Sequence, residues 1–273
     1  MCGRRHIVES EKRKIVKVGI TGAGGRIGRT LTEGLADTYE LTLFIRNTQP
    51  ETSRSLKIVK ADISNEEETK GIFEGLDAVI HLAASPSTQA PWEDVLKNNI
   101  VGTYNVLEEA RRAGVRRVVF ASTNHVQNGY AAEDSPGSLD PEFLKRGKLI
   151  KLTDPPAPDS YYGVSKAFGE DIGRYYVRFH GLEYVSVRIG WAAPGTLPDR
   201  ELSETHERHL RAVFFSRRDC IDLFIKTLEV EADYLVVYGV SNTKNPIFDL
   251  TETKKILGYD PADNDEEYFR AGL

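Results

Sequence analysis

Residues 18–30 read VGITGAGGRIGRT, and this stretch decides the fold. A short apolar run (Ile15, Val16, Val18, Ile20) enters Thr21-Gly22-Ala23-Gly24-Gly25-Arg26-Ile27-Gly28, and a helical pattern over 29–36 follows. Strand, glycine turn and helix start in that order make the phosphate-binding corner of a dinucleotide site. Gly22 allows the tight turn off the strand, Gly25 has no side chain to block a pyrophosphate, and Gly28 lets the helix pack closely on the sheet. The free N–H groups and positive dipole end of that helix face the phosphates, so Arg26 and Ile27 at its start are read as cofactor contacts too.

Outward from this corner, 41–45 reads as a second buried strand that ends at Arg46-Asn47-Thr48. Folds that prefer NAD place Asp or Glu there to accept hydrogen bonds from the ribose hydroxyls. An arginine suits a 2′-phosphate instead, so the expected cofactor is NADP, with NAD the alternative. A third strand over 58–63 puts Asp62 and Ile63 beside the adenine, and an acidic helix is expected over 66–74. The strand 77–84 ends in Leu82, Ala83 and Ala84, where the backbone can approach the cofactor. His81 lies within that strand between Ile80 and Leu82 and is read as structural.

A long amphipathic helix is predicted over 92–113, then a strand over 116–123 and a long connection from 127 to 160 of the kind used for lids and binding loops. The helix over 161–180 carries Tyr162 and Lys166 four residues apart on one face, with Tyr161 off it. A strand at 184–189, a loop at 193–210, a helix at 218–228, a strand at 234–239 and a helix at 251–257 complete the pattern. The alternation predicts an α/β chain with a Rossmann-type, doubly wound parallel sheet. Residues 1–13 read as a flexible lead-in, 14–190 as the dinucleotide-binding domain, and 191–273 as mainly a substrate-binding lobe intertwined with it.

A net charge of −5 argues against a nucleic-acid partner held by bulk charge. No apolar run is long enough to span a bilayer, and the charged first residues lack a signal-peptide core. Two cysteines, Cys2 and Cys220, provide neither a disulfide framework nor a zinc site, so no metal is expected and the cytoplasm is the expected compartment.

The motifs TGAGGRIG (21–28), HLAA (81–84), NIVGT (99–103), Ser122-Thr123 and YGVSK (162–166) occur in the order of the extended short-chain dehydrogenase/reductases, and the chain resembles that superfamily of NAD-dependent epimerases and dehydratases over nearly its whole length. The stretches FASTNH (120–125), YGVSKAFGE (162–170) and VRIG (187–190) look like the branch of uronate dehydrogenases and short-chain-type glucose-6-phosphate dehydrogenases. APW (90–92), EADY (231–234) and LGYDP (257–261) lean towards the glucose-6-phosphate members. Three features depart from the pattern: Trp191 replaces a small polar residue, the 192–210 loop is long, and Arg46 replaces an acid.

The resemblance implies oxidation of the anomeric carbon of an anionic aldose to a lactone. Glucose 6-phosphate is the leading substrate and a uronate the alternative. A sugar-nucleotide epimerase or dehydratase, or a non-catalytic nucleotide sensor, is a further alternative. It implies Thr123, Tyr162 and Lys166 as catalytic residues, Asn99 and Ile189 near the cofactor, and Ser122, Asn124 and His125 on substrate hydroxyls. The chemistry is coherent, because a tyrosine of ordinary pKa near 10 needs a neighbouring ammonium to act as a base at neutral pH. An anionic substrate needs a cation, and Arg208 or Arg211 is preferred from a cluster that includes Arg217 and Arg218. The helices over 92–113 and 161–180 are expected to join two copies in a homodimer.

Overall fold

The computed structural model describes residues 15–50, 52, 54–193 and 203–271. The expected lead-in over 1–13 and much of the expected 193–210 loop lie outside them. In chain order the elements are β1 (Lys17–Thr21), α1 (Arg26–Leu35), β2 (Glu40–Ile45), β3 (Lys57–Lys60), α2 (Glu66–Thr69), β4 (Ala78–His81), α3 (Trp92–Val95), α4 (Gly102–Arg112), β5 (Arg117–Thr123), α5 (Pro141–Lys145), α6 (Tyr161–His180), β6 (Glu183–Ile189), β7 (Trp191–Ala192), α7 (Glu204–Ala212), β8 (Phe214–Phe215), α8 (Arg217–Glu229), β9 (Tyr234–Gly239), α9 (Thr251–Leu257) and α10 (Asp265–Ala271).

The near-continuous apolar runs of β1, β2, β4, β5 and β6 are what a sheet covered on both faces requires. Seven strands pair in the order β3-β2-β1-β4-β5-β6-β9, every pair parallel. The order reverses between β1 and β4, which opens a crevice at the carboxyl ends of these strands. One face is covered by α1 and α8 through Leu31, Leu35, Leu223 and Phe224. The other is covered by α4 and α6 through Val106, Leu107, Ala110 and Tyr176. The C-terminal stretch is part of this sheet. β9 extends it, and Arg117 on β5 ties the end of α8 down by donating to the carbonyls of Thr227, Leu228 and Val230 while it pairs with Glu183 at 2.6 Å.

Several boundaries differ from the sequence reading for local reasons. The acidic helix stops at Thr69, because Gly71 adopts a φ of 74° that breaks it. The helix expected over 92–113 is α3 and α4 joined by a π-helical stretch, Leu96–Val101, which turns Asn99 into the interior. The 127–160 connection is anchored rather than loose. It contains α5, capped by Asp140, and buries Ala131, Leu139, Phe143 and Ile150 against Val213, Tyr238, Ile247 and Phe248. The loop expected over 193–210 contains most of α7. α6 spans the predicted residues: Ser160 caps its start by accepting from the Gly163 N–H, and Gly181 at φ 69° ends it.

Candidate active site

The crevice deepens into a cavity of about 1120 Å³. Its first half is made largely of backbone. Gly22 sits at φ 69°, and a Cβ there would stand 2.8 Å from the Ala83 nitrogen. A Cβ on Gly28 would stand 2.6 Å from Ala23 and from the Gly22 carbonyl, so this glycine is needed for helix–turn packing. Gly25 is different: a Cβ there meets nothing nearer than the Gly22 oxygen at 3.3 Å. It is less crowded than Gly22 or Gly28 and lines the cavity. Gly25 also caps α1 without any side chain and no acid occupies the first turn, whereas α5, α6, α7 and α8 are each capped by Asp or Ser. An uncapped helix start at the cavity floor fits a pyrophosphate.

Gly22, Gly25, Arg26, Ile27, Gly28, Arg46, Asp62, Ile63, Leu82, Ala83, Ala84 and Ile189 all line the cavity, as read from the sequence. Arg46 donates from Nη1 to Asn98 Oδ1 at 2.9 Å and lies 3.8 Å from Asp62. The Asp62 carboxyl stays below its ordinary value: burial would raise it, but bonds from Ser64 and the charges of Arg46 and Lys97 outweigh burial. Asn99 does not line the cavity. Its amide is used up, with Oδ1 accepting from the Ser85 N–H at 2.7 Å and Nδ2 donating to Ser85 O and Ser165 Oγ. It joins the loop after β4 to α6, so the structure does not bring it to the cavity wall with the other residues read as cofactor contacts.

The second half of the cavity holds Thr123, Tyr162 and Lys166 together. Thr123 ends β5, and the other two lie one turn apart on α6. The Lys166 ammonium is 5.8 Å from the Tyr162 ring centroid and 4.6 Å from that of Phe120. Burial pushes Lys166 down to about 7. Burial pushes Tyr162 up to about 12, against a hydrogen bond with Thr123 that lowers it. Ionising the phenol therefore needs added positive charge nearby, which a bound oxidised nicotinamide carries. Tyr161 points away and is 56% exposed. His81 is structural: its nitrogens lie 2.8 Å from Thr21 Oγ1 and 3.2 Å from Thr103 Oγ1, and burial, with the Lys166 charge, lowers it to about 3.

Around Thr123, Tyr162 and Lys166 the placements diverge from the sequence reading. Asn124 and His125 line the cavity. Ser122 lines the cavity as well, but its hydroxyl hydrogen is already engaged. It donates to Glu170 at 2.6 Å, and Glu170 pairs bidentately with Arg188 at 2.7 and 2.9 Å. This buried trio locks β5, α6 and β6 together beneath the site. Arg208 and Arg211 are also corrected. Both leave the cavity, because α7 is a helix whose phase turns His206, His209 and Leu210 inward and the arginines outward. Arg208 bonds Glu204 and the Leu139 carbonyl. Arg211 bonds Glu207 and lies over the Phe269 ring. Arg217 pairs with Glu33 and Arg218 with Asp263.

The inward residues of α7 were missed in sequence although a start signal was there: Ser203 followed by Glu204 and Glu207 is an N-cap with an acidic first turn. Trp191 lines the cavity from β7 and packs on Tyr268 and Phe269. Arg26 reaches across to donate to the Ala192 carbonyl at 2.8 Å, so the glycine turn and the wall built by β7 are directly bonded.

Comparison with known proteins agrees with this geometry. Residues 18–204 match the NAD dependent epimerase/dehydratase family, and the chain belongs to that family. It is 39% identical to the L-arabinose 1-dehydrogenase (NAD(P)(+)) of Haloferax volcanii, over 92% of this chain and 98% of that one. It is 37% identical to the NAD-dependent glucose-6-phosphate dehydrogenase of the same organism, over 91% and 94%. Among solved structures, glucuronic acid dehydrogenase from Chromohalobacter salexigens superposes with a TM-score of 0.78 at 28% identity, covering 94% of this chain and 88% of that one. No helix among the described residues is long and apolar enough to cross a membrane.

Proposed function

We propose that this protein is an NAD(P)-dependent sugar dehydrogenase that oxidises the anomeric carbon of an aldose to a lactone, with glucose 6-phosphate as the leading substrate. The observation that carries the reading is the convergence of Thr123, Tyr162 and Lys166 on a cavity continuous with the uncapped start of α1. The glycine turn would hold the pyrophosphate, Asp62 and Ile63 would flank the adenine, and Lys166 would hold the nicotinamide ribose. A bound nicotinamide supplies the acceptor for the hydride from the sugar. Tyr162 takes the proton of the anomeric hydroxyl. Thr123 donates to the same oxygen and orients it, and the Lys166 charge stabilises the phenolate.

NADP is the preferred cofactor in this reading. Among the described residues, only Nη1 of Arg46 is engaged, which leaves the rest of the guanidinium fork for a 2′-phosphate. Residues beyond 190 supply the sugar-side wall through Trp191, His206 and His209 while also completing the sheet. Trp92, Leu96 and Tyr104 on one helix run and Tyr161, Val164, Tyr175 and Phe179 on α6 are exposed, which supports a homodimer through these helices. A cytoplasmic setting fits a chain whose Cys220 is a buried free thiol.

A neutral pentose is the second reading. Among the described residues that line the sugar end, Lys166 and Arg26 are the only lysine or arginine side chains, and the second is bonded to Ala192. The test is cofactor reduction with glucose 6-phosphate, glucuronate, galacturonate and L-arabinose, each with NAD and NADP. Turnover of glucose 6-phosphate with NADP is the expected result. Turnover of L-arabinose alone moves the assignment to the neutral sugar, and silence throughout rejects the dehydrogenase.

A further inference from the structure

Behind the wall of the sugar end lies a carboxylate that the chemistry above does not use. Asp159 lies in the extended run before α6, and its side chain is 4% exposed. Oδ2 accepts from His125 Nδ1 at 2.8 Å, from Asn128 Nδ2 at 2.8 Å and from the Gly137 N–H at 3.3 Å. Oδ1 accepts from Ser160 Oγ at 3.0 Å and lies 3.0 Å from the same His125 nitrogen. Burial alone would raise this carboxyl, but the bonds from His125, Asn128 and Ser160 outweigh it and hold the group below its ordinary value.

An ionised carboxylate only accepts, so every atom facing it brings the hydrogen. In a neutral imidazole that fixes the proton on Nδ1 and leaves Nε2 as the bare polar edge of the ring. The His125 ring lines the cavity, 6.0 Å from the Tyr162 ring and 5.8 Å from that of His209. Nε2 has no hydrogen-bond partner among the described residues, while the Nε2 of the more deeply buried His209 donates to Asn128 Oδ1 at 2.9 Å. His125 thus offers an acceptor beside Tyr162.

We infer that Asp159 is a positioning residue that holds His125 with Nε2 as acceptor for the sugar hydroxyl on the carbon next to the one oxidised. The inference rests on the sugar-dehydrogenase reading. The His125 and Tyr162 rings stand edge to face with centroids 6.0 Å apart, so a sugar bonded to Tyr162 brings its neighbouring hydroxyl towards His125. A site built to accept that hydrogen selects against a sugar that lacks it, because Nε2 is then left without a partner. Asp159 therefore sets which sugars are oxidised without touching them.

Two measurements test this. Steady-state kinetics compare glucose 6-phosphate with 2-deoxyglucose 6-phosphate for the wild type and Asp159→Asn. The amide keeps the shape but can present either edge to Nδ1. The expected result is a fall of about tenfold in kcat/KM for glucose 6-phosphate, mostly in its KM, with the cofactor KM unchanged and the preference over the 2-deoxy sugar largely erased. Equal losses for both sugars, or none, overturn the inference. The second measurement uses the wild type alone. Nitrogen NMR of the ¹⁵N-histidine-labelled protein should show His125 protonated at Nδ1 and bare at Nε2, and an Nε2–H tautomer overturns the inference. This result is readable whether or not glucose 6-phosphate proves to be the substrate.

Discussion

The two ends of the cavity are built differently. The nucleotide end depends on what is missing: no Cβ at Gly22, Gly25 or Gly28, no cap on α1, and no acid after β2. The sugar end depends on side chains that meet from far apart in the chain, with Thr123 on β5, Tyr162 on α6, His209 on α7 and Trp191 on β7. A surface of bare backbone can bind the part of a ligand that related enzymes share. A surface of converging side chains can be re-cut for each sugar. On the proposed function, the same contrast separates cofactor binding from substrate choice within this one cavity.

The largest expected effect is at the point where the ends meet. Tyr162→Phe should lower kcat by about 10³-fold while cofactor affinity stays within about twofold, because only the proton acceptor is lost. Steady-state rates and a fluorescence titration of the reduced cofactor check this. In the wild type the rate should rise with pH towards the alkaline side, since burial raises Tyr162 and more of it is ionised as pH increases, and that rise should vanish in the variant. A matched loss of cofactor binding would mean that Tyr162 serves the nucleotide end.

Next comes a contrast between two glycines of one turn. Gly25→Ala should fold with a small loss of stability, since its Cβ presses only on the Gly22 oxygen at 3.3 Å, and should weaken cofactor binding about 10- to 100-fold by filling the phosphate cradle. Gly28→Ala should lower the Tm, because its Cβ has no room against Ala23. Melting curves with and without cofactor separate the two, and similar behaviour of both variants would break the contrast between them. A smaller effect is expected from Arg46→Ala: about tenfold weaker binding of NADP with NAD little changed. Equal losses for both cofactors would remove the 2′-phosphate contact.

A last effect concerns stability rather than binding. His81 and His209 are each held neutral near a pKa of about 3 by burial, against about 6.5 when unfolded. Below pH 6.5 the unfolded chain binds protons that the folded chain refuses. Stability therefore falls as pH drops from 6.5 towards 3, by up to about 1.4 kcal/mol per pH unit for each ring. Denaturant melts at pH 7 and pH 5 should show the drop, and His209→Asn should make it shallower. A flat profile would contradict the burial of neutral rings.

How much could be read in the sequence follows from the same contrast. The glycine turn, the sheet and the Tyr162–Lys166 pair are local patterns: a strand run, a turn, a four-residue spacing on a capped helix. Each can be read without knowing where the chain goes next. Asp159 and His125 stand 34 residues apart and become partners only because the connection between them is packed down by its own small core. Ser122 looked available for substrate because Glu170 and Arg188, its actual company, approach from α6 and β6. The arginines of 208–211 were chosen for their charge, but the phase of a short helix decides which side chains face in. Asn99 was given to the cofactor because a π-helical insertion, which rotates it onto Ser85 and Ser165, leaves no pattern in the sequence that was recognised.

The central claim, that this cavity oxidises an aldose at its anomeric carbon, is tested most directly by isotope transfer. Glucose 6-phosphate carrying deuterium at C1 is incubated with the enzyme and NADP, and both products are analysed by mass spectrometry. The account predicts deuterium in the reduced cofactor and an unlabelled lactone, or its hydrolysis product, from the sugar. Deuterium retained in the sugar while the cofactor is reduced, or no reduction with any aldose, would contradict it.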